Sequence, residues 1–529
     1  MKKVFLIFIL LLICIISSAQ SRWIQQYLDE YNAPALELII SYDQGYLLSG
    51  WITSNFPPYT WLIKTDVNGE ILWQKLIGDS YYSSIGVDNV CINANGDIYL
   101  GGGAYNNSDA NPVLIKLNPC GEKEWCREIV TTSNIDFFSD IVNTPDGGCA
   151  TLIYKTFFPE SINRSGILKF SSDGALLWQK YYESSDQGVA NEDLSNIIIT
   201  PDNGFLISGF CYYPDPENTD LYWLHPYYIK TDSLGNFEWE TVIHRETGDI
   251  GGDAHMTLVN PGQTFYYSCI SHYYHSNTLS TTRPGIVKLN LNGSVAGIFD
   301  LVQGNFDNAK LLTFDFLNDS LLVGSAGWHN NEEEPQSRVI IFDTLGKIKD
   351  SLTLFNDVYL GITKTTYDNK ILVLISNTLS GQFDSYLYKL NQVLEQDTFY
   401  TQPFVYDSLC PYQIVSDTIV PDDCGVIVGI EEDSKTVGRE DGKKDEGGLE
   451  IWPNPATGIV DCRWSMVDFR GDLSLMIYDV FGREIRQIDI PDTDHEIKLT
   501  VEDFVPGLYL VVLKDENNII GSARMVVSR

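Results

Sequence analysis

Leu62-Ile63-Lys64-Thr65-Asp66-Val67-Asn68-Gly69 reads as an apolar strand that runs into a tight turn. The pattern, apolar-Lys-x-(Asp/Asn/Ser)-x-x-Gly, recurs down the chain. It returns as Leu114-Ile115-Lys116-Leu117-Asn118 with Gly121, Ile167-Leu168-Lys169-Phe170-Ser171 with Gly174, and Tyr228-Ile229-Lys230-Thr231-Asp232 with Gly235. Two later copies are Ile286-Val287-Lys288-Leu289-Asn290 with Gly293 and Val339-Ile340-Ile341-Phe342-Asp343 with Gly346. A seventh, Tyr386-Leu387-Tyr388-Lys389-Leu390-Asn391, lacks the glycine. The steps between the lysine positions are 52, 53, 61, 58, 53 and 48 residues. A period of this length marks a solenoid, a propeller or an array.

Each unit holds four strand signals separated by turn chemistry. In the third, Phe137 to Asn143 is apolar, Thr144-Pro145-Asp146-Gly147-Gly148 is a turn, and Cys149 to Tyr154 is a second strand. Gly166 to Phe170, the turn Ser171-Ser172-Asp173-Gly174, and Ala175 to Tyr181 complete it. Gly, Pro and Asp supply the dihedrals such turns need. Four strands in about 50 residues is the signature of a propeller blade. Trp73, Trp125, Trp178 and Trp239 each fall four residues after the turn glycine, a place suited to packing between adjacent blades. The fold class is therefore all-β: a β-propeller of seven to eight four-stranded blades, followed by a small β-sandwich.

The ends of the ring decide the blade number. The second-strand signal occurs eight times, the last at Val426-Ile427-Val428-Gly429, and the third-strand signal seven times. Arg22-Trp23-Ile24-Gln25-Gln26-Tyr27 reads as an orphan fourth strand. A ring must close its sheet edges. Placing this strand beside the last two strands gives an incomplete eighth blade; the alternative is seven blades with decoration.

Four segments follow along the chain. Residues 1–19 read as a signal peptide: Lys2 and Lys3, the apolar run Val4 to Ile16, then Ser17-Ser18-Ala19. Residues 20–430 are the propeller. Residues 431–448 are charged and Gly-bearing, and cannot build a core. Residues 449–529 begin Leu449-Glu450-Ile451-Trp452-Pro453-Asn454-Pro455 and continue as short alternating strands through Pro506-Gly507-Leu508-Tyr509 to Arg529. This last part resembles the type A C-terminal sorting domain of proteins exported by the type IX secretion system of Bacteroidota. The resemblance implies the secretion machinery as a partner and Pro453, Asn454, Pro455, Gly507 and Tyr509 as its motif. It also implies a secreted or outer-membrane surface-attached protein after signal cleavage. Gly507 is expected in a tight turn before the Tyr509 strand.

Composition excludes more than it assigns. The formal net charge is −36, and no basic stripe relieves it, so nucleic acid is an unlikely ligand. Beyond the leader nine cysteines remain, an odd number, in an oxidising compartment. Cys120 with Cys126, and Cys410 with Cys424, each flank a hairpin turn and are candidate local bridges; the alternative is buried thiols. No nucleophile elbow, phosphate loop or zinc-protease helix is present, and no cofactor is expected. His272-Tyr273-Tyr274-His275 offers two histidines three apart, placed in a loop between strands. Glu37, Asn89, Asp140 and Asn196 align on the first strands and are candidates for channel-lining groups. One recurring polar position is not the paired carboxylate of a glycosidase, and it suits hydrogen bonding to neighbouring backbone.

The connections are one-sided. In an up-and-down blade the second-to-third and fourth-to-first connections share a face, and the other two here are tight turns. The long stretches Trp51 to Thr60, Tyr212 to His225, Ser271 to Pro284 and Trp328 to Gln336 therefore gather on one side. Rigidly supported loops commonly carry binding. Trp51, Phe56, Tyr59, Tyr213, Trp223, Tyr273 and Trp328 are the candidate binding aromatics, for an unknown protein or glycan. The reading is a secreted or cell-surface binding or adhesion module. The alternatives are a polysaccharide-active enzyme at the channel mouth and a purely structural surface protein.

Asp-(Ser/Thr)-aliphatic triplets occur six times, at Asp232, Asp319, Asp343, Asp350, Asp407 and Asp417. They resemble the O-glycosylation acceptor of exported proteins of this bacterial group, which implies exposed hydroxyls at Ser233, Ser320 and Thr344.

Overall fold

The computed structural model describes residues 23–27, 34–52, 59–78, 84–106, 109–130, 136–157, 162–186, 189–214, 222–243, 249–276, 279–302, 309–328, 336–356, 361–377, 384–400, 410, 415–421 and 424–428 of the first part. In the C-terminal part it describes 449–452, 456, 458–464, 473–479, 483–490, 496–501, 503–505, 507–514 and 519–527. The leader, the linker 431–448, Phe56 and Pro453-Asn454-Pro455 lie outside these residues.

Every described element is a strand. Blade 1 comprises Ala35–Ile40, Tyr46–Ile52, Tyr59–Thr65 and Ile71–Ile77; blade 2 comprises Ser84–Ile92, Ile98–Asn106, Asp109–Leu117 and Lys123–Val130. Blade 3 is Asp136–Asn143, Cys149–Phe157, Ile162–Phe170 and Leu176–Tyr182, and blade 4 is Asn191–Ile199, Phe205–Pro214, Tyr222–Thr231 and Phe237–Val242. Blade 5 is Asp249–Val259, Phe265–Ser276, Leu279–Asn290 and Val295–Asp300, and blade 6 is Lys310–Asn318, Leu321–Gly327, Gln336–Asp343 and Ile348–Asn356. Blade 7 has Gly361–Thr365, Ile371–Asn377 and Asp384–Leu390, and its fourth strand is the N-terminal Ile24–Tyr27. Each first strand contacts the preceding blade, and that of blade 1 contacts blade 7, so the ring closes.

The repeated residues hold this arrangement together. The third-strand lysine is buried and reaches the aspartate of its own first-to-second turn. Lys64 Nζ lies 2.6 Å from Asp43 Oδ2, Lys169 2.9 Å from Asp146, Lys230 2.9 Å from Asp202, and Lys389 3.4 Å from Asp368. A buried ammonium is tolerated only when so paired. In blade 5 the turn has no aspartate, and Lys288 instead sits 3.7 Å above the Phe265 ring. In blade 6 the turn shortens, and Ile341 replaces the lysine.

The fourth-strand tryptophan packs on the third-to-fourth turn of the next blade. A Cβ at Gly121, Gly174, Gly235 or Gly293 would meet Trp73, Trp125, Trp178 or Trp239, in that order. Trp23 meets Gly69 in the same way, which identifies the N-terminal segment as a fourth strand. The seventh repeat, lacking glycine, holds Leu394 at a left-handed φ of 57° and buries its side chain in the core.

Closure differs from the eight-blade expectation. Ile24–Tyr27 pairs with Asp384–Leu390, not with the segments after it. Those segments form a strap: Asp417–Ile419 adds in parallel to the outer strand of blade 1, and Gly425–Val428 to that of blade 2. Among the described residues the ring has seven sheets, each of four blade strands, with the strap as a fifth strand on blades 1 and 2. The disulfides also differ from the local pairs expected. Cys120 bonds Cys410 and Cys126 bonds Cys424, because the turn and outer strand of blade 2 face the strap. Cys91, Cys149, Cys211, Cys269 and Cys462 are buried thiols.

The C-terminal part is a sandwich. One sheet joins Leu449–Trp452, Ile459–Trp464 and Glu496–Thr500; the other joins Glu484–Ile490, Leu473–Asp479, Gly507–Lys514 and Ile519–Val527. Val460, Cys462, Leu475, Ile477, Val511 and Met525 fill the space between them. Gly507 is not in a tight turn: it opens a strand, its φ is not left-handed, and a Cβ there would find only Val505 O at 3.9 Å. Tyr509 is buried against Phe504, and its hydroxyl donates to Val505 O at 2.7 Å.

Candidate functional site

Both turns of each blade lie on one face, so extra strand length can project only from the other. The second strands of blades 1 to 7 hold 7, 9, 9, 10, 12, 7 and 7 residues. Each begins just after its turn. At about 3.3 Å per residue, the described second strand of blade 5 is roughly 16 Å longer than those of blades 1, 6 and 7. Among the described residues the paired hairpin strands reach furthest on this face in blade 5.

This geometry corrects two sequence readings. The stretches 212–225 and 271–284 are largely strand, with pairing that runs out to Pro214–Tyr222 and Ser276–Leu279. His272 and His275 lie within a strand, not in a loop between strands. Among the described residues no group of three or more His, Cys, Asp or Glu is placed to hold a metal ion.

Of the candidate aromatics, Tyr213 and Trp223 are brought together as cross-strand partners on blade 4. Both are half-buried. The Tyr213 hydroxyl donates to Asp186 Oδ2 at 2.6 Å, and its ring stands edge-on to His225 at 5.0 Å. Below them Tyr227 donates to Glu240 Oε2 at 2.5 Å, and the Ser185 amide donates to Glu240 Oε1 at 2.9 Å. Asp186, His225, Tyr227 and Glu240 were missed by sequence reasoning. Their only signal is their place at the loop-face ends of one blade, visible once the strand register is known.

The other candidates stand apart. Tyr59 is on blade 1, half-buried, with its ring beside Gly78. Trp328 is on blade 6, where the Arg338 guanidinium lies 4.3 Å from its ring and donates to its carbonyl at 3.0 Å. Trp51 and Tyr273 lie in second strands, paired with Thr60 and Thr282; their side chains are not among those described.

The channel positions behave as clips between blades. Asn89 Nδ2 donates to Phe138 O at 2.9 Å. Asp140 accepts from Ile141 N at 2.7 Å, from Asn196 Nδ2 at 2.9 Å and from Ile197 N at 2.8 Å. Asn196 Oδ1 in turn accepts from Thr257 N at 2.9 Å. Burial pushes the Asp140 carboxyl up to about 7, aided by the Glu37 charge and opposed by its donors. Glu37 is raised by burial, against the pull of Lys364.

Beside the aromatic pair, Glu192 is 4% exposed and accepts from Ser165 N at 3.2 Å. Burial pushes it from 4.5 up to about 8; Arg164 opposes this, and Glu183 and Glu240 add to it. For an acid raised in the fold, the stability it costs is absent below the unfolded value. That cost grows as pH rises towards the folded value. Glu192→Gln keeps the acceptor without the charge. It is expected to leave the melting midpoint unchanged at pH 4 and raise it at pH 8.5, read by calorimetry. Equal midpoints at pH 8.5 would contradict the burial argument.

Of the triplet hydroxyls, Ser233, Ser320, Ser351 and Thr418 are exposed and Thr344 is half-buried.

Residues 450–528 match the family model of the secretion system C-terminal sorting domain. The chain is thereby a type IX cargo, exported to the cell surface or released. No helix among the described residues is long and apolar enough to cross a membrane. No curated protein matches the chain. Similar solved structures include a protein of unknown function from Dyadobacter fermentans, at 10% identity over 60% of this chain and 97% of that one, TM-score 0.40. The polysaccharide lyase Uly1 is similar at 8% identity over 68% and 90%, TM-score 0.44. A Synechocystis apocarotenoid oxygenase mutant is similar at 11% over 60% and 71%, TM-score 0.38. Likeness at this level carries nothing about activity.

Proposed function

We propose that this protein is a secreted or cell-surface binding module that takes a protein or glycan ligand on the loop face, at blade 4. The observation that carries the reading is the Tyr213–Trp223 pair, half-exposed one pair in from the outer end of the described strands of blade 4, with Tyr213 held by Asp186. Aromatic surface fixed in this way loses little entropy on binding, and such residues dominate binding energy. Glycan and peptide arrays probed with the mature chain test it. Binding is expected, and Tyr213→Ala with Trp223→Ala should weaken it at least tenfold. No binding, or binding indifferent to both changes, would overturn the reading.

A polysaccharide-active enzyme at the channel mouth is the second reading, favoured by one feature: burial, aided by the Glu37 charge, pushes the Asp140 carboxyl up to about 7. Against it, three donors already occupy the Asp140 carboxylate. A general acid needs an oxygen free to meet its substrate.

A further inference from the structure

We propose that the blade 4 site takes a cationic group, the guanidinium or ammonium of an arginine or lysine side chain on a protein partner. This rests on Tyr213 and Trp223 being the platform that meets the ligand, and it chooses protein over glycan.

The aromatic pair stands among carboxylates. Asp186 is exposed and accepts from the Tyr213 hydroxyl at 2.6 Å. Glu240 accepts from the Tyr227 hydroxyl and from the Ser185 amide, which ties the segment carrying Asp186 to blade 4. Glu183 opens that segment, with its side chain 41% exposed. The cation set against them is Arg164 of blade 3, already 3.2 Å from Glu183.

A fourth carboxyl lies underneath. Glu192 faces Cys211 across the strands, and Cys211 faces His225, so this row runs directly inside the Tyr213–Trp223 row. Glu192 is 4% exposed, yet among the described residues its carboxyl meets one donor, the Ser165 amide. Burial pushes it up to about 8, and Glu183 and Glu240 add to that against the pull of Arg164. Burial also raises the Tyr227 hydroxyl, and Glu192 and Glu240 raise it further. The seam between blades 3 and 4 therefore lacks positive charge. It holds a buried acid protonated where a second cation would let that acid ionise.

Aromatic faces edged by carboxylates bind guanidinium and ammonium groups, by cation–π attraction and ion pairing together. The same charges repel an acidic glycan, and a neutral glycan gains nothing from them. The net charge of −36 also steers a basic partner towards the chain.

An octapeptide array and a glycan array are probed with the mature chain at pH 7. The strongest ligands are expected to be peptides carrying arginine or lysine. The best of them, remade with citrulline for arginine or norleucine for lysine, should bind at least tenfold more weakly in calorimetry. Asp186→Asn keeps an acceptor for the Tyr213 hydroxyl and removes the charge. It should weaken the basic peptide at least threefold and leave the melting midpoint in place. A cation arriving beside Glu192 favours its charged form, so binding at pH 7 should release a proton. The heats in phosphate and Tris should then differ, and Glu192→Gln should abolish the difference. Tyr213→Ala/Trp223→Ala separates this proposal from the platform it rests on. If glycans or neutral peptides bind best and that variant abolishes their binding, the platform stands and the cation assignment is overturned. Equal heats in the two buffers overturn it as well. If nothing binds, or binding ignores that variant, both fall.

Discussion

Reduction of the two disulfides is expected to free the strap and lower the melting midpoint of the propeller by about 5 °C. Cys120–Cys410 and Cys126–Cys424 join residues 290 and 298 positions apart. In the chain-entropy model one such closure contributes about 5–6 kcal/mol, above the roughly 2–4 kcal/mol that disulfides usually deliver. The second, acting on ends already tied, closes only a short loop and adds about 3 kcal/mol or less. Little else holds the strap. Its strands pair over three residues on blade 1 and four on blade 2, and Val415, Val420 and Val426 remain exposed. The Lys75–Asp417 ion pair, at 2.6 Å, has its carboxylate 54% exposed, so solvent screens it. Among the described strap residues Ile419 alone is fully buried, in the cluster that holds Trp73. The ring itself stays closed through Ile24–Tyr27 on Asp384–Leu390. Loss should therefore be local first: protease cuts within 401–428 while the blades remain intact. Thermal scans and limited proteolysis, with thiol counting to confirm reduction, decide it. An unchanged midpoint with a protected strap would show that the strand additions hold it unaided.

The repeat was legible because each of its residues has a physical duty that local sequence displays. The buried lysine needs a counter-ion, the glycine a left-handed φ, and the tryptophan a neighbouring turn. The strap was not legible for a related reason. Val426-Ile427-Val428 has the composition of a second strand, and composition does not say which edge a strand joins or in which direction. The cysteines misled in the same way: Cys120 and Cys126 are close in sequence, but both meet a segment that follows blade 7, 290 and 298 residues on, and passes blade 1 to reach blade 2. The aromatic stretches after Tyr212 and Ser271 read as loops, yet their Tyr- and Thr-rich residues pair as strands. The polar channel position was visible, and its role as a backbone clip followed from its lone recurrence. The surroundings of Tyr213 were not, since Asp186, His225 and Glu240 are scattered along the chain and converge only when blade 4 is assembled.

Two glycines that look alike in sequence should respond differently to a methyl group. Gly147 and Gly235 both hold turns at left-handed φ, 83° and 73°. Replacing either with alanine forces a side chain into that region, at about 1 kcal/mol. Around Gly147 a Cβ would meet nothing within 4 Å. Around Gly235 it would lie 2.7 Å from Trp178 Cζ3 and 2.8 Å from Cη2. The indole cannot yield cheaply, because Trp178 is itself packed edge-on against Phe205 at 5.8 Å. Overpacking of this kind costs about 1–3 kcal/mol more. Denaturant unfolding of the mature chain should thus show Gly147→Ala less stable by about 1 kcal/mol. Gly235→Ala should lose about 2–4 kcal/mol, the sum of the strain and overpacking terms. A double-mutant cycle isolates the cause: in a Trp178→Ala background, the cost of Gly235→Ala should fall back towards that of Gly147→Ala. Equal costs for the two single variants would mean that the tryptophan does not lock one blade onto the next. The recurrence of Trp23, Trp73, Trp125 and Trp239 against Gly69, Gly121, Gly174 and Gly293 would then need another explanation.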